Sequence, residues 1–338
     1  MNNPKKALLL VNVGTPDKPE VGAVRRYLSQ FLNDPRVIDI PWLGRKLLVN
    51  GIIVPFRAKK STRLYQKLWT DNGSPLLLHL ENLAEKLQEK MGEEFSVFGA
   101  MRYGNPSMKD VLNKIRREQF DEIVVFPLYP HYASSTTGSV VEEVMNRVRK
   151  WNVIPAVRSI NQYYRHPSFL SAFAEKIKRY RPEEYDRILF SYHGLPVRQV
   201  EKVHPSVTEA ECSCEMAMPQ HGTFCYKATC YETTRLLVRQ LDLDNEKVLT
   251  AFQSRLSKNW LKPFADETIH DLAAQGHKKV LVIAPSFVSD CLETTIEIGE
   301  EYKELFEENG GEKLTLVESL NSDDQWAAAL KEIVKGEG

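Results

Sequence analysis

His193, Glu293 and a cluster of four cysteines are the residues of this 338-residue chain whose types and spacing point to chemistry. His193 lies in Ser191-Tyr-His-Gly-Leu-Pro196, directly after an apolar, β-rich run over residues 187–192. Pro196 blocks smooth continuation into a helix and Gly194 lets the chain turn tightly. The imidazole therefore stands at a strand end, where its neutral form can accept a proton near neutral pH. A hydrogen-bonded structural histidine is the plainer alternative. A second run, 278–284, leads into Pro285-Ser-Phe-Val-Ser-Asp290-Cys-Leu-Glu293-Thr-Thr-Ile-Glu297. With a helix starting near Ser289, Asp290, Glu293, Glu297 and Glu300/Glu301 fall on one face. Acids in a first turn suit the helix dipole, but Glu297 and Glu300 lie beyond it. A solvated surface is one reading of the row. A path for a hard, hydrated divalent cation is the other.

Cys212, Cys214, Cys225 and Cys230 fall within one short window, and Cys291 stands apart. Four thiolates suit a tetrahedral zinc site or a [2Fe–2S] cluster, and the spacing alone does not choose between them. Aromatic and hydroxyl residues follow another strand in Phe126-Pro-Leu-Tyr129-Pro-His131, continuing to Ser134-Ser-Thr-Thr-Gly138, as the wall of a flat pocket would require. Arg102-Tyr103 ends a further run. Arg57, Lys59, Lys60 and Arg63 form a basic stretch that could meet ligand carboxylates or touch a membrane surface, though such a stretch is commonly a solvated face.

The elements that must position these groups are short apolar runs alternating with amphipathic helical stretches. The runs are 7–13, 96–101, 122–128 and 153–157, then 187–192, 247–252, 278–284 and 314–317. Helical patterns over 76–91, 108–118 and 169–180 separate some of them, which predicts parallel sheets with crossover helices. Four strands followed by four predicts two doubly wound lobes, 1–160 and 161–320, with a final helix within 321–338 packing across them. A weak echo links 122–137 with 279–295, each reading as strand, proline turn and helix start. The loop 195–230 is long enough to be functional.

Formal net charge is zero, so no global field favours nucleic acid or an anionic surface. Neither dinucleotide nor P-loop glycine motif follows the first strand. No apolar run approaches the length of a membrane span, and the N-terminal run lacks a signal-peptide cleavage pattern, so a cytoplasmic protein without transmembrane segments is expected.

Read in order, these segments resemble the ferrochelatase family over nearly the whole chain. The carriers are Leu-Leu-Val-Asn-Val13-Gly-Thr-Pro, Asn72-Gly-Ser-Pro, Met101-Arg-Tyr-Gly, Phe126-Pro-Leu-Tyr-Pro, Ser135-Thr-Thr-Gly, Ser191-x-His-Gly-Leu-Pro, Phe252-Gln-Ser-Arg, Trp260-Leu and Ser289-Asp-Cys-Leu-Glu-Thr. The resemblance implies an α/β chelatase-like fold: two Rossmann-like lobes, each a four-stranded parallel sheet flanked by helices, with a porphyrin cleft between. It implies insertion of ferrous iron into protoporphyrin IX, the last step of protohaem synthesis. His193 matches the family's active-site histidine and Glu293 its motif carboxylate, both facing the substrate iron. Glu297 matches the next acid of the metal path. Val13, Arg57, Tyr65, Arg102, Tyr103, Tyr129 and Trp260 match cleft or propionate-binding positions. Two departures stand out: Cys291 replaces the histidine of many members, and Ser134 stands where animal members have a cluster cysteine. Some bacterial members look as if they carry all four cluster ligands internally, so the resemblance favours [2Fe–2S] over zinc at Cys212, Cys214, Cys225 and Cys230. Porphyrin and ferrous iron are the implied partners, with peripheral membrane contact left open. Rival readings are a coproporphyrin or other tetrapyrrole chelatase, a non-catalytic haem or iron carrier, and a two-lobed periplasmic binding protein; the absence of a signal peptide weighs against the last.

Overall fold

A computed structural model describes residues 4–336. Eight strands follow in chain order: β1 (Lys6–Thr15), β2 (Phe95–Gly104), β3 (Glu122–Pro127), β4 (Ala156–Ser159), β5 (Arg187–His193), β6 (Val248–Gln253), β7 (Lys279–Ile283) and β8 (Lys313–Leu316). They form two all-parallel sheets, β2-β1-β3-β4 and β6-β5-β7-β8. The doubly wound α/β architecture is therefore the one expected. The runs became strands because both faces are covered. Ala7, Leu9 and Val11 pack with Leu112, Ile115, Val140 and Val144, while Leu8 and Leu10 on the other face are equally buried. In the second sheet Leu189, Ala251, Val280 and Val282 pack with Ile269, Leu272, Ile298 and Phe306.

The chain forms two compact units. One runs through Tyr129, resumes over Ala133–Gln162 and takes the segment from Ser322 onward; the other comprises Pro130–Tyr132 and Tyr163–Asn321. The helix Asp324–Lys335 belongs to the first unit, beside the helix Pro75–Met91. There Lys86 Nζ donates to Ser322 O at 2.8 Å and meets Asp324 at 3.1 Å. The run expected at 153–157 begins as a strand only at Ala156. Val153 and Ile154 are 76% and 61% exposed, because Pro155 cuts them off from the ladder. Trp42, Leu43, Leu47, Ile52 and Phe56 are also exposed. Among the described residues no helix is long and apolar enough to cross a membrane.

The echo read from sequence falls on equivalent places in the two sheets. β3 and β7 occupy the same position in their strand orders, and each leads to a segment with the wide i→i+5 turn of a π-helix, Ser134–Gly138 and Leu292–Tyr302. Beside them, β2 and β6 end alike: Met101 N donates to Pro106 O and Phe252 N to Pro263 O, both at 2.8 Å.

His131, in the second unit, is fully buried among Tyr164, Tyr192 and Tyr226. Thr233 Oγ1 donates to Thr229 O at 2.9 Å, so toward His131 Nε2, 2.8 Å away, it accepts. Burial pushes this imidazole down to about 3. The unfolded chain takes up a proton near pH 6.5 that the native state refuses, so this contribution to stability is complete above that pH and declines as pH falls toward about 3. Thermal melts of His131→Gln between about pH 4 and 7 should show a flatter pH dependence than wild type. An unchanged slope would place the acid sensitivity elsewhere.

Candidate active site

In open α/β sheets ligands bind beyond the carboxyl ends of strands, where successive crossovers leave a central strand in opposite directions. In the second sheet that point lies between β5 and β7. β5 ends at His193, and the segment after β7 leads to Glu293, so the two residues picked from sequence belong to one switch point.

His193 is half-buried. Its Nδ1 lies 2.6 Å from Gly194 O. A carbonyl only accepts, so Nδ1 carries a proton, and in the neutral ring Nε2 holds the lone pair. Tyr226 Oη donates to His193 O at 2.9 Å, and His193 N reaches Ser286 Oγ at 3.4 Å. The ring lies beside Trp260 and Phe287, centroids 6.3 and 6.2 Å away. Gly194 is required here for space: a Cβ would stand 2.8 Å from Gln253 O and 3.2 Å from the Trp260 ring. Antiparallel contacts between Leu195–Val197 and Asn259–Leu261 hold Trp260 against the turn.

The acidic helix differs from the expectation in where it starts and how it winds. It begins at Leu292 rather than near Ser289, and it is a π-helix through Tyr302. Asp290 lies outside it, accepting from Thr294 Oγ1, Ser319 N and Asn321 Nδ2 at 3.2, 3.1 and 2.7 Å. It ties a loop together and is not the head of an acidic row. Glu293 is half-buried, and the buried Cys291 thiol faces its carboxylate; burial first, then that charge, push the thiol well above its ordinary range. Glu297, expected as an open acid on a metal path, is engaged on both oxygens. Oε1 accepts from Ser254 N and Tyr302 Oη, each at 2.8 Å; Oε2 accepts from Ser254 Oγ at 2.5 Å and Gln253 Nε2 at 3.2 Å. A carboxylate has about four lone-pair sites, and these four bonds engage them.

Of the expected residues of the first unit, Val13, Arg102 and Tyr103 lie at the ends of β1 and β2, Tyr129 follows β3, and Arg57 and Tyr65 lie on the helix Val54–Leu68. Gly14, next to Val13, pairs with Tyr103 so closely that a Cβ would meet Tyr103 O at 1.8 Å. Arg102 lies over the Tyr103 ring at 4.7 Å, and its Nη2 meets Asp34 Oδ2 at 2.7 Å. Asp34 Oδ2 also accepts from Tyr103 Oη at 2.8 Å and Ser139 Oγ at 2.6 Å. The Arg102 charge is thus already answered by a buried carboxylate, and a ligand propionate would meet a neutral pair instead of a free cation. Burial raises the Tyr103 and Tyr129 phenols above their ordinary range. Tyr65 packs edge-on to Tyr27, whereas Arg57 is exposed on the helix Val54–Leu68. A cavity of about 760 Å³ opens in this unit, with Thr15, Tyr27, Asp34, Arg102 and Tyr103 among its walls.

The segment 195–230, expected as a long loop, is less loop-like than that. It holds the helix Val197–Glu201 and short 3₁₀ turns at Glu209–Glu211 and Gln220–Phe224, and Cys230 already lies in the helix Tyr226–Leu241. Cys214, Cys225 and Cys230 are buried and Cys212 half-buried. Cys225 is pushed up to about 11 by burial, with the Cys212 sulfur adding to it. Cys214 is raised by burial and by Cys212, with Cys225 contributing, and Cys230 by burial and then Cys225 and Cys214. His204 Nε2 approaches Cys225 Sγ at 3.2 Å and His221 Nε2 approaches Cys212 Sγ at 3.3 Å. Among the described residues no three His, Cys, Asp or Glu side chains are gathered as metal ligands would be.

Asp34, Gln253, Ser254 and Tyr226 were not singled out as site residues from sequence. Gln253 had a legible signal, a polar residue closing a β-rich run. Asp34 showed only as part of an Asn-Asp-Pro turn.

Two four-stranded parallel sheets of this order define a chelatase fold. The sirohydrochlorin chelatase SirB from Bacillus subtilis subspecies spizizenii, solved in complex with cobalt, superposes with a TM-score of 0.55 over 98% of this chain and 94% of its own, at 11% identity. Within that fold the chain belongs to the ferrochelatase family, whose model matches residues 5–337. The ferrochelatase of Legionella pneumophila (strain Lens) is 40% identical over 98% of both chains. That of Coxiella burnetii (strain Dugway 5J108-111) is 41% identical over 99% of this chain and 94% of its own. The chain is accordingly a metal-inserting lyase of haem synthesis, with a porphyrin and ferrous iron as its substrates.

Proposed function

We propose that this chain inserts ferrous iron into protoporphyrin IX, with His193 as the base for the pyrrole protons and Glu293 assisting metal entry or proton exit. The observation that carries the reading is the 2.6 Å contact of His193 Nδ1 with Gly194 O, which in the neutral ring leaves Nε2 to accept. A free-base porphyrin must lose two N–H protons as iron approaches perpendicular to the ring, so a fixed acceptor lowers the barrier. Bending the macrocycle would expose the nitrogen lone pairs on the same course. Val13, Tyr65, Arg102, Tyr103, Tyr129 and Trp260 are taken as porphyrin-contacting residues, with Arg57 free to reach a propionate. Anaerobic metallation of protoporphyrin and coproporphyrin in parallel, followed by visible absorption, tests the substrate. Faster turnover of coproporphyrin would move the assignment to that substrate, and no turnover of either would favour a carrier.

The resident metal proposed is a [2Fe–2S] cluster on Cys212, Cys214, Cys225 and Cys230. The donor chemistry suits it: the segment carries four sulfur donors, and burial together with neighbouring sulfur raises Cys214, Cys225 and Cys230, a cost that a cationic centre would relieve. When bound, the cluster supplies cross-linking of the segment and a redox-active chromophore. Purified protein should be reddish-brown with about two iron and two acid-labile sulfide per chain. Cys225→Ser should lose colour and stability together, whereas Cys291→Ser should keep the chromophore. A colourless protein with one zinc would instead support a tetrahedral structural site.

A further inference from the structure

Gln253 is buried at the end of β6 and is bonded both to the end of β5 and to the acidic helix. It is 1% exposed and pairs in register with His193 across β5 and β6. Its Oε1 accepts from Ser191 Oγ at 2.7 Å, two residues before His193. Its backbone O accepts from Gly194 N at 2.8 Å, one residue after. Its Nε2 donates to Glu293 O at 2.8 Å and to Glu297 Oε2 at 3.2 Å. The amide can face only one way, because a carbonyl and a carboxylate need the NH₂ and a hydroxyl donates to the oxygen. The next residue strengthens the anchor. Ser254 has a left-handed backbone at φ +61°, a strained conformation for a non-glycine residue. Glu297 takes both its N–H and its O–H, which holds it there.

We propose that Gln253 is a positioning residue for metal insertion, setting the placement of Glu293 relative to His193 by bridging the end of β5 to the first turn of the π-helix, with Glu297 and Ser254 as its anchor. Three features support this beyond ordinary packing. The amide holds the main-chain carbonyl of Glu293 and, through the Ser191 hydroxyl, the end of β5, while the Gln253 main-chain carbonyl takes Gly194 N, so displacing this residue disturbs both segments. The helix it grips is a π-helix, and the carbonyl it holds, that of Glu293, lies in the first turn. Each side-chain bond of the amide runs to one of the two segments that must stay in register, β5 or the acidic helix.

The inference rests on His193 and Glu293 being the reacting pair, and the test separates the two claims. Gln253→Met keeps length and burial but removes all three side-chain hydrogen bonds. Misplacing a catalytic group by about 1 Å can cost about 10²-fold, so kcat for iron insertion should fall by about that factor. The KM for protoporphyrin and the absorption spectrum of the bound porphyrin should stay as in wild type. Ser191→Ala removes only the hydroxyl that fixes Gln253 Oε1 and should show the same split, a lower kcat at unchanged KM, more mildly. It decides the matter if Gln253→Met does not fold. His193→Ala is run in the same assay. Full turnover in His193→Ala would defeat the reading of the reacting pair. An inactive His193→Ala beside normal kcat in Gln253→Met, or in Ser191→Ala where that variant decides, would overturn the positioning role alone. Loss of porphyrin affinity in step with kcat would overturn it too, reducing Gln253 to a structural residue.

Discussion

His193→Ala should lower iron insertion by about 10²- to 10⁴-fold, the range a positioned general base contributes, while leaving the protein folded. The native ring is half-buried at a strand end, its Nδ1–H satisfied by Gly194 O. Its removal deletes no buried aliphatic surface of the kind that supports the sheet. The backbone bonds of the position, His193 O with Tyr226 and His193 N with Ser286, do not depend on the side chain. A melting temperature close to wild type together with collapsed turnover is the expected pair of results. Turnover near wild type would remove His193 from the mechanism, and unfolding would show that the ring is chiefly structural.

Glu293→Gln keeps shape and removes charge, so insertion should fall on the order of 10²-fold while porphyrin still binds. Two observations support separating charge from shape here. The backbone carbonyl of Glu293 is held by Gln253, and this bond persists in the variant. The carboxylate is close enough to raise the Cys291 thiol, so its charge acts within a partly desolvated site, where electrostatic effects are stronger than in water. Single-turnover insertion from the preformed porphyrin complex is the measurement that isolates the step. Normal insertion with weakened porphyrin affinity would make Glu293 a binding group only.

The chain's own residues determined a good deal. Continuous runs such as Ala7–Val13 and Lys279–Ile283 are too apolar to sit anywhere but in a sheet covered on both faces, and the alternation with helical stretches fixed parallel pairing. Placing His193 before Gly194 and Pro196 fixed it at a strand end, because no helix continues smoothly through that sequence. The internal echo was legible because β3 and β7 carry the same strand–turn–helix requirement. Tertiary structure decided what periodicity does not encode. Spacing put Asp290, Glu293 and Glu297 on one face only for an ordinary helix that starts near Ser289. The chain instead starts at Leu292 with π winding, Asp290 is drawn away by Asn321 and Ser319, and Glu297 is taken up by Ser254 and Tyr302. Likewise Arg102 reads in sequence as a cation awaiting a ligand, and only folding brings Asp34 against it. Hydrogen-bond partners distant in sequence are set by which strand ends lie together. For that reason His193 and Glu293 could be picked out from local sequence, whereas the bonds that Gln253 makes beside them, and those that Asp34 makes to Arg102 and Tyr103, became visible only when each sheet was assembled.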